Sequence, residues 1–185
     1  MRRVQSGDMD AFEEIIRRFR TKVFRVISSH VRDPEDAMEV LQDTFLKVYT
    51  ARRSWDGRFS FSGWLYRIAI NASIDRYRRS DRLKTTSLEG ILESHLEHSS
   101  TTPPASEPLV GVADGERRRL LERAVRRLPE RQREVVSLRY FGEMSLEEIA
   151  AALSCPLGTV KSNLHKAVMN LKNLLLRGEG VLGYE

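Results

Sequence analysis

Residues 144–168 read MSLEEIAAALSCPLGTVKSNLHKAV. Two helical patterns meet here across a short break. Ser145, with Glu148 three residues on, forms a capping box and marks a helix start. Leu146, Ile149, Ala150 and Leu153 then fall on one side at helical spacing. A second helix begins near residues 156–158 and runs to about residue 176, with Val160, Leu164, Ala167, Val168, Leu171 and Leu175 as its apolar stripe. Two amphipathic helices joined by a turn of about three to five residues cross steeply and bury Leu146, Ile149, Leu153, Val160 and Leu164 together, which is a helix-turn-helix. The second helix of such a unit fits a DNA major groove. Its outward side carries Thr159, Lys161, Ser162, Asn163, His165 and Lys166. Gly158 leaves room at the helix N-terminus, an end that favours an anion such as a phosphate. Basic amphipathic helix pairs are common, and periodicity alone leaves DNA binding at even odds with a solvated face. The segment GTVKSNL, at 158–164, tips the balance toward DNA.

Working outward, the whole chain is 185 residues long, room for one ordinary domain or two small ones. Charged residues make up 31% and aromatic residues 8%, a mixture that suits helices with wide polar faces. The net charge of +5 points weakly to a polyanionic partner. Its distribution says more. Residues 1–83 hold 17 Lys and Arg against 12 Asp and Glu, residues 84–115 hold 1 against 5, and residues 116–185 hold 13 against 9. Two basic blocks flank an acidic middle. The single Cys155 excludes an internal disulfide and suits a reducing cytoplasm. The N-terminus lacks the apolar core of a signal peptide, and no run is long and apolar enough for membrane insertion.

The middle block, 84–115, mixes Ser, Thr, Pro and Gly with acids and reads as a flexible linker, with one short helix expected at 88–96. Fully stretched it spans at most about 105 Å, and relaxed it averages roughly 30 Å. Two modules on this tether reach sites two DNA turns apart, about 70 Å, only when it is drawn out. Four helices are expected before it: 9–18, 21–31 with little or no separation from the first, one opened by Asp33 as N-cap with Pro34 at its first position, and one over 62–82. The third buries Ala37, Val40, Leu41, Thr44, Phe45 and Val48. The fourth gathers Trp64, Leu65, Ile68 and Ala72 on one side and Arg67, Asn71, Asp75 and Arg78 on another. Four more helices follow the linker, starting at 116–128, which Pro129 stops, and 130–141. The fold class is all-α: two small helical bundles, 1–83 and 116–185, joined by the linker, the second holding the helix-turn-helix.

Three segments in this order resemble the extracytoplasmic-function sigma factors of bacterial RNA polymerase. They are DPEDAMEVLQDTFLKVY from residue 33, FSGWLYRIAINASIDRYRR from 61, and LPERQREVVSLRYFGEMSLEEIAAALSCPLGTVKSNLHKA from 128. The resemblance covers about residues 6–175. It implies that the segment from Asp33 docks on a coiled coil of core polymerase, with Asp36, Glu39, Gln42 and Asp43 at the polar positions. Asp33 and Asp36 also suit the helix N-terminus without any partner. The loop before the fourth helix and that helix itself would handle the melted minus-ten element of promoter DNA. Trp55, Phe59, Arg67, Asn71, Asp75, Arg76, Arg78 and Arg79 are the implied residues. An aromatic platform stabilises an unstacked base by about 1–3 kcal/mol, and an amide such as that of Asn71 bonds a base edge twice. Trp64 and Phe61 read as core, while Trp55 is balanced between core and base pocket. Gly158, Thr159, Lys161, Ser162, Asn163, His165 and Lys166 would meet the minus-thirty-five duplex. The family often has Arg where this chain has Asn163 and Lys166, and a lysine is no substitute for a bidentate arginine. The acidic linker fits either a mimic of nucleic acid in the polymerase channel or an inert spacer. An anti-sigma factor is the further partner the resemblance implies.

Two function classes compete. One is a sigma factor, which performs no chemistry itself. The other is a conventional helix-turn-helix regulator that grips duplex operator alone, often as a dimer. An enzyme is disfavoured, since no phosphate-cradling Gly loop, nucleophile motif or acid pair is present. His95 and His98 are three apart but fall in the linker with no Cys nearby, so neither metal nor cofactor is expected.

Overall fold

The computed structural model describes residues 1–57, 60–86 and 120–179, and of 80–86 and 177–179 the backbone alone. The described residues are helical, with no strand among them. The expected short helix at 88–96 and most of the linker lie outside them, as does Phe59.

The first half is built from α1 (Arg2–Gln5), α2 (Met9–Ser28), α3 (Pro34–Thr50), a single 3-10 turn (Arg52–Ser54) and α4 (Phe61–Thr86). The helices expected at 9–18 and 21–31 are one. Thr21 does not break α2, because Ile15, Val23, Val26 and Ile27 keep its buried face continuous. Its start is fixed by Asp8, whose carboxylate accepts from the Ala11 N–H. α3 begins as anticipated: Asp33 accepts from the Glu35 and Asp36 N–H groups, and Pro34 takes the first position. All six residues of its expected stripe are buried. Thr44 and Ser73 are buried hydroxyls that donate back along their own helices, to Val40 O at 2.7 Å and Ala69 O at 2.8 Å. Ser60 opens α4, its hydroxyl 3.2 Å from the Gly63 N–H and its carbonyl 3.1 Å from the Trp64 N–H.

The second half comprises α5 (120–126), α6 (Glu130–Val136), which continues as a wide π turn over Ser137–Phe141, α7 (Leu146–Ala152) and α8 (Leu157–Glu179). The π turn follows from the Gly142 N–H reaching back five residues to Ser137 O at 3.0 Å. The capping box is present in both directions, Ser145 Oγ with the Glu148 N–H and Glu148 Oε2 with the Ser145 N–H. Buried Glu134 is paired with Arg131 at 3.0 Å, and burial raises its carboxyl above the usual range. Val125, Leu128, Val136 and Ala167 form a small core of this half.

The two halves share the larger core. Val135, Leu138, Met144, Ile149, Ala152 and Val160 join a cluster with Leu65, Tyr66, Ala69 and the interior of α2 and α3. α4 lies against α3 and α2 on one side and α7 on the other, and the π turn rests on α2. At the seam, Tyr66 is fully buried, and its ring edge lies within reach of Gly142, where a Cβ would sit 3.2 Å from Tyr66 Cε2. The Tyr66 hydroxyl has no hydrogen-bond partner. Lys22 pairs with Glu143 at 2.6 Å across the seam. Arg126 Nη1 lies 3.5 Å from Ser28 O.

His30, at the end of α2, is 4% exposed. Its Nδ1 lies 3.0 Å from Val26 O. A carbonyl only accepts, so Nδ1 carries the proton, and Nε2 is left buried with no partner. Burial first, with Arg133 adding repulsion, pushes the imidazole down to about 4.

Two outcomes are expected. Above about pH 6.5 His30 is neutral whether the chain is folded or not; as pH falls the unfolded chain takes up the proton first. Stability therefore drops as pH falls from about 6.5 toward 4, by about 2 kcal/mol by pH 5. Urea unfolding at about pH 7.5 and pH 5 measures it, and His30→Gln flattens the dependence. A Gly142→Ala methyl would sit 2.7 Å from Leu138 O and 3.2 Å from Tyr66. That substitution costs roughly 1–3 kcal/mol and raises the radius of gyration measured by X-ray scattering, as the halves part.

Candidate polymerase and nucleic-acid interfaces

α3 divides cleanly into two faces. With its apolar stripe buried, Glu39, Gln42 and Asp43 are left exposed on the outside. Leu46, 61% exposed, extends that face. It lies three residues past Asp43 and seven past Glu39, one and two turns along the helix. Sequence reasoning passed over Leu46, although a leucine standing off the apolar stripe is a visible signal. Asp36 is half-buried and behaves differently. Arg76 of α4 hydrogen-bonds to its carboxylate and reaches Glu39 Oε2 at 3.0 Å. The Asp36 bond, with the nearby charges of Asp36, Glu39 and Asp33, raises the Arg76 pKa further above its ordinary value. Asp36 and Arg76, matched on sequence to two different surfaces, thus form one tie between α3 and α4.

The outward strip of α4 is as expected from spacing: Arg67, Asn71, Asp75 and Arg78 are all exposed, and Arg79 beside them is exposed too. Its first member is engaged. Arg67 Nη1 lies 3.3 Å from Ser154 Oγ, in the turn between α7 and α8. The strip therefore starts at the seam and runs away from it.

Trp55 follows the 3-10 turn and is half-buried. Its ring meets Phe61 edge-on, centroids 6.3 Å apart, and Phe61 in turn meets Phe19 at 5.6 Å and Trp64 at 6.1 Å. The indole Nε1 has no partner. An open groove of about 510 Å³ runs past Trp55 and Phe61, floored by Ile15 and Phe19 and edged by Arg3 and Arg18. Glu14 also lines it, but Arg17 and Arg18 hold that carboxyl down to about 2 and occupy its oxygens. Gly57 turns the chain beyond Trp55 with φ +77°, a conformation open to glycine.

In the helix-turn-helix, α7 and α8 are separated by the four residues 153–156. Ser154 takes φ +51° to make the turn. The first turn of α8 is closed on Pro156 O, which accepts from the Thr159 and Val160 N–H groups at 2.9 and 3.2 Å. Gly158, Thr159, Lys161, Ser162, His165 and Lys166 are exposed together. A Cβ on Gly158 would meet nothing within 4 Å. Asn163 is half-buried and donates its amide to Thr159 O at 3.0 Å, within its own helix. The neighbouring Glu147 carboxyl is held below its usual range by backbone and Ser145 hydrogen bonds, with Lys161 adding its charge. Val168, placed in the apolar stripe by periodicity, is 46% exposed, because α5 and α6 cover α8 at Leu164, Ala167 and Leu171 instead.

Comparison with known proteins gives the class. The family described as "Sigma-70 region 2" matches residues 15–83, and "Sigma-70, region 4" matches residues 118–171. The ECF RNA polymerase sigma-E factor of Salmonella typhimurium is 34% identical over 166 residues, covering 89% of this chain and 86% of its own. The sigma factor SigW of Bacillus subtilis is 30% identical over 177 residues, 95% of this chain and 94% of its own. Two solved structures share the fold. The sigma factor RpoE in complex with the anti-sigma factor NepR from Bartonella quintana has a TM-score of 0.68 at 24% identity, covering 89% of this chain and 96% of that one. CnrH in complex with the cytosolic domain of CnrY has a TM-score of 0.66 at 24% identity, covering 94% and 92%. The chain belongs to the extracytoplasmic-function sigma factors of RNA polymerase. Its work is that of a sigma factor: it binds core polymerase and directs promoter recognition, promoter melting and transcription initiation. With both regions present in order, the operator-binding regulator is not favoured.

Proposed function

We propose how the surfaces of this sigma factor divide that work. The outer face of α3, with Glu39, Gln42 and Asp43 and the apolar Leu46, docks on core polymerase. Asp36 contributes through its tie to Arg76. Trp55, its groove and Phe59 take the melted minus-ten strand, while Arg67, Asn71, Asp75, Arg78 and Arg79 follow that strand along α4. The exposed start of α8, from Gly158 to Lys166, reads the minus-thirty-five duplex. The observation that carries the reading is the split of α3. Six consecutive-turn positions are buried, and Glu39, Gln42, Asp43 and Leu46 remain exposed on the other side with no internal work for Gln42, Asp43 or Leu46 to do.

The chain contributes no reaction of its own in this reading; the polymerase supplies the chemistry. It acts in the cytoplasm, where its polymerase and DNA are, and the lone, half-buried Cys155 suits that compartment. No helix among the described residues is long and apolar enough to cross a membrane. An anti-sigma protein is a further partner. Exposed Leu46 on the docking face, and Val168 and Met169 further along the reading helix, offer such a protein apolar anchors on both working surfaces.

Glu39→Ala/Asp43→Ala is expected to weaken co-purification with core polymerase about tenfold and to reduce run-off transcription in step. Its unfolding midpoint should hold, since both side chains are exposed. Full core binding by this variant would remove α3 as the docking face.

A further inference from the structure

Gln5 lies on α1, outside every surface described above. Its side-chain amide donates to two backbone carbonyls of the turn before α4, Arg52 O at 2.9 Å and Trp55 O at 2.7 Å, across 47 and 50 residues of chain. An amide nitrogen has two hydrogens, and both are used. Both acceptors are carbonyls, so the amide has one sensible orientation; its oxygen turned toward either would be repelled. The two bonds bracket the turn. One holds the carbonyl of its first residue, the other the carbonyl of the residue that follows its last.

The arm that carries Gln5 is itself fixed. Val4 is fully buried in the main core. Arg3 is paired with Asp8 at 2.7 Å, and Gly7 bends the chain with φ +93° so that Asp8 caps α2. The turn is held from its other side by stacking. The Arg52 guanidinium lies over the Tyr49 ring at 4.2 Å and donates to Tyr49 O at 2.8 Å. The Trp55 ring rests on Phe61. Ser54 bonds the turn back to Ala51 O at the end of α3 through its N–H at 2.9 Å and its hydroxyl at 2.8 Å, and Gln5 adds the tie from α1 that holds both ends of the turn.

We propose that Gln5 is a positioning residue for promoter melting: it touches no DNA, and by clamping the Arg52 and Trp55 carbonyls it sets the height and direction of the turn that captures the unstacked strand. This rests on the reading that the Trp55 turn serves the melted minus-ten element. Capturing a base requires the receiving group to be in place before the base leaves the stack, because unstacking costs a few kcal/mol that a loose site does not return. A turn that must first be ordered gives up part of that return as conformational entropy.

The test uses the full chain assembled with core polymerase. The DNA is a promoter that the wild-type holoenzyme selects from a random duplex pool, used once as intact duplex and once with the melted region already unpaired. Gln5→Met keeps the length of the side chain and removes both donors. Gln5→Glu keeps its shape and sets carboxylate oxygens against two carbonyls. Trp55→Ala probes the underlying reading. Gln5→Met is expected to slow open-complex formation on intact duplex about tenfold, the worth of one to two hydrogen bonds. Gln5→Glu should slow it more, and both losses should shrink on the pre-opened template. Core affinity and thermal midpoint should stay near wild type. A normal rate of opening by Gln5→Met beside a slow Trp55→Ala overturns the proposal and leaves the reading of the turn intact. Normal opening by both variants overturns proposal and reading together. Slow opening by Gln5→Met beside a normal Trp55→Ala keeps Gln5 in its role and removes the indole from the strand site. Parallel losses of core affinity and thermal midpoint, equal on both templates, make Gln5 a stability residue only and overturn the proposal.

Discussion

α4 is claimed from two directions at once. Leu65, Ala69 and Ala72 go into the core shared with α2 and α3, while Gly63 and Tyr66 are covered by the second half. A helix offers about 360° of surface, and burial of this kind leaves only a narrow strip for anything else. Arg67, Asn71, Asp75 and Arg78 occupy that strip. Nearly every other feature follows from this double burial. The small residues Gly63, Ala69, Ala72 and Ser73 let neighbours approach on both sides. Tyr66, a large side chain on the second face, is buried only because a partner half 70 residues further along comes to meet it.

The same packing brings together surfaces that work apart. Arg67, at the head of the exposed strip of α4, sits 3.3 Å from Ser154 in the turn of the helix-turn-helix. Promoter sites two DNA turns apart lie about 70 Å from each other. On the proposed division of surfaces, a form spanning both sites would differ from the packed form described here. The Arg76 tie runs the other way. By linking Asp36 and Glu39 of α3 to α4, it ties the outer face of α3 to α4. On the proposed division of surfaces, a partner that docks on α3 places α4 with it.

Much of this was legible in the sequence, and the gaps have physical causes. The stripe of α3 was readable in full, because all six residues face one core within one module. The Asp33 and Ser145 caps were readable because capping is local chemistry. Spacing alone leaves open whether 9–18 and 21–31 are one helix, and tertiary burial of Val23 and Val26 joins them in α2. α1, with four residues, is too short to show a period, so Gln5 carried no signal. Tyr66 carried no signal because periodicity shows that a residue is apolar but not that a second module will cover it. Arg76 looked like a phosphate ligand since nothing in one dimension sets it beside Asp36.

The Tyr66 hydroxyl works against the packing of its own ring. Burial, with the Glu143 charge nearby, makes ionising it still harder than for an ordinary tyrosine, and it finds no acceptor at the seam. A hydroxyl stripped of water and given nothing back opposes closure by about 1–3 kcal/mol. The ring glues the halves while its oxygen pulls toward the solvent it has lost. Wetting that one atom is part of what the joint would gain by opening.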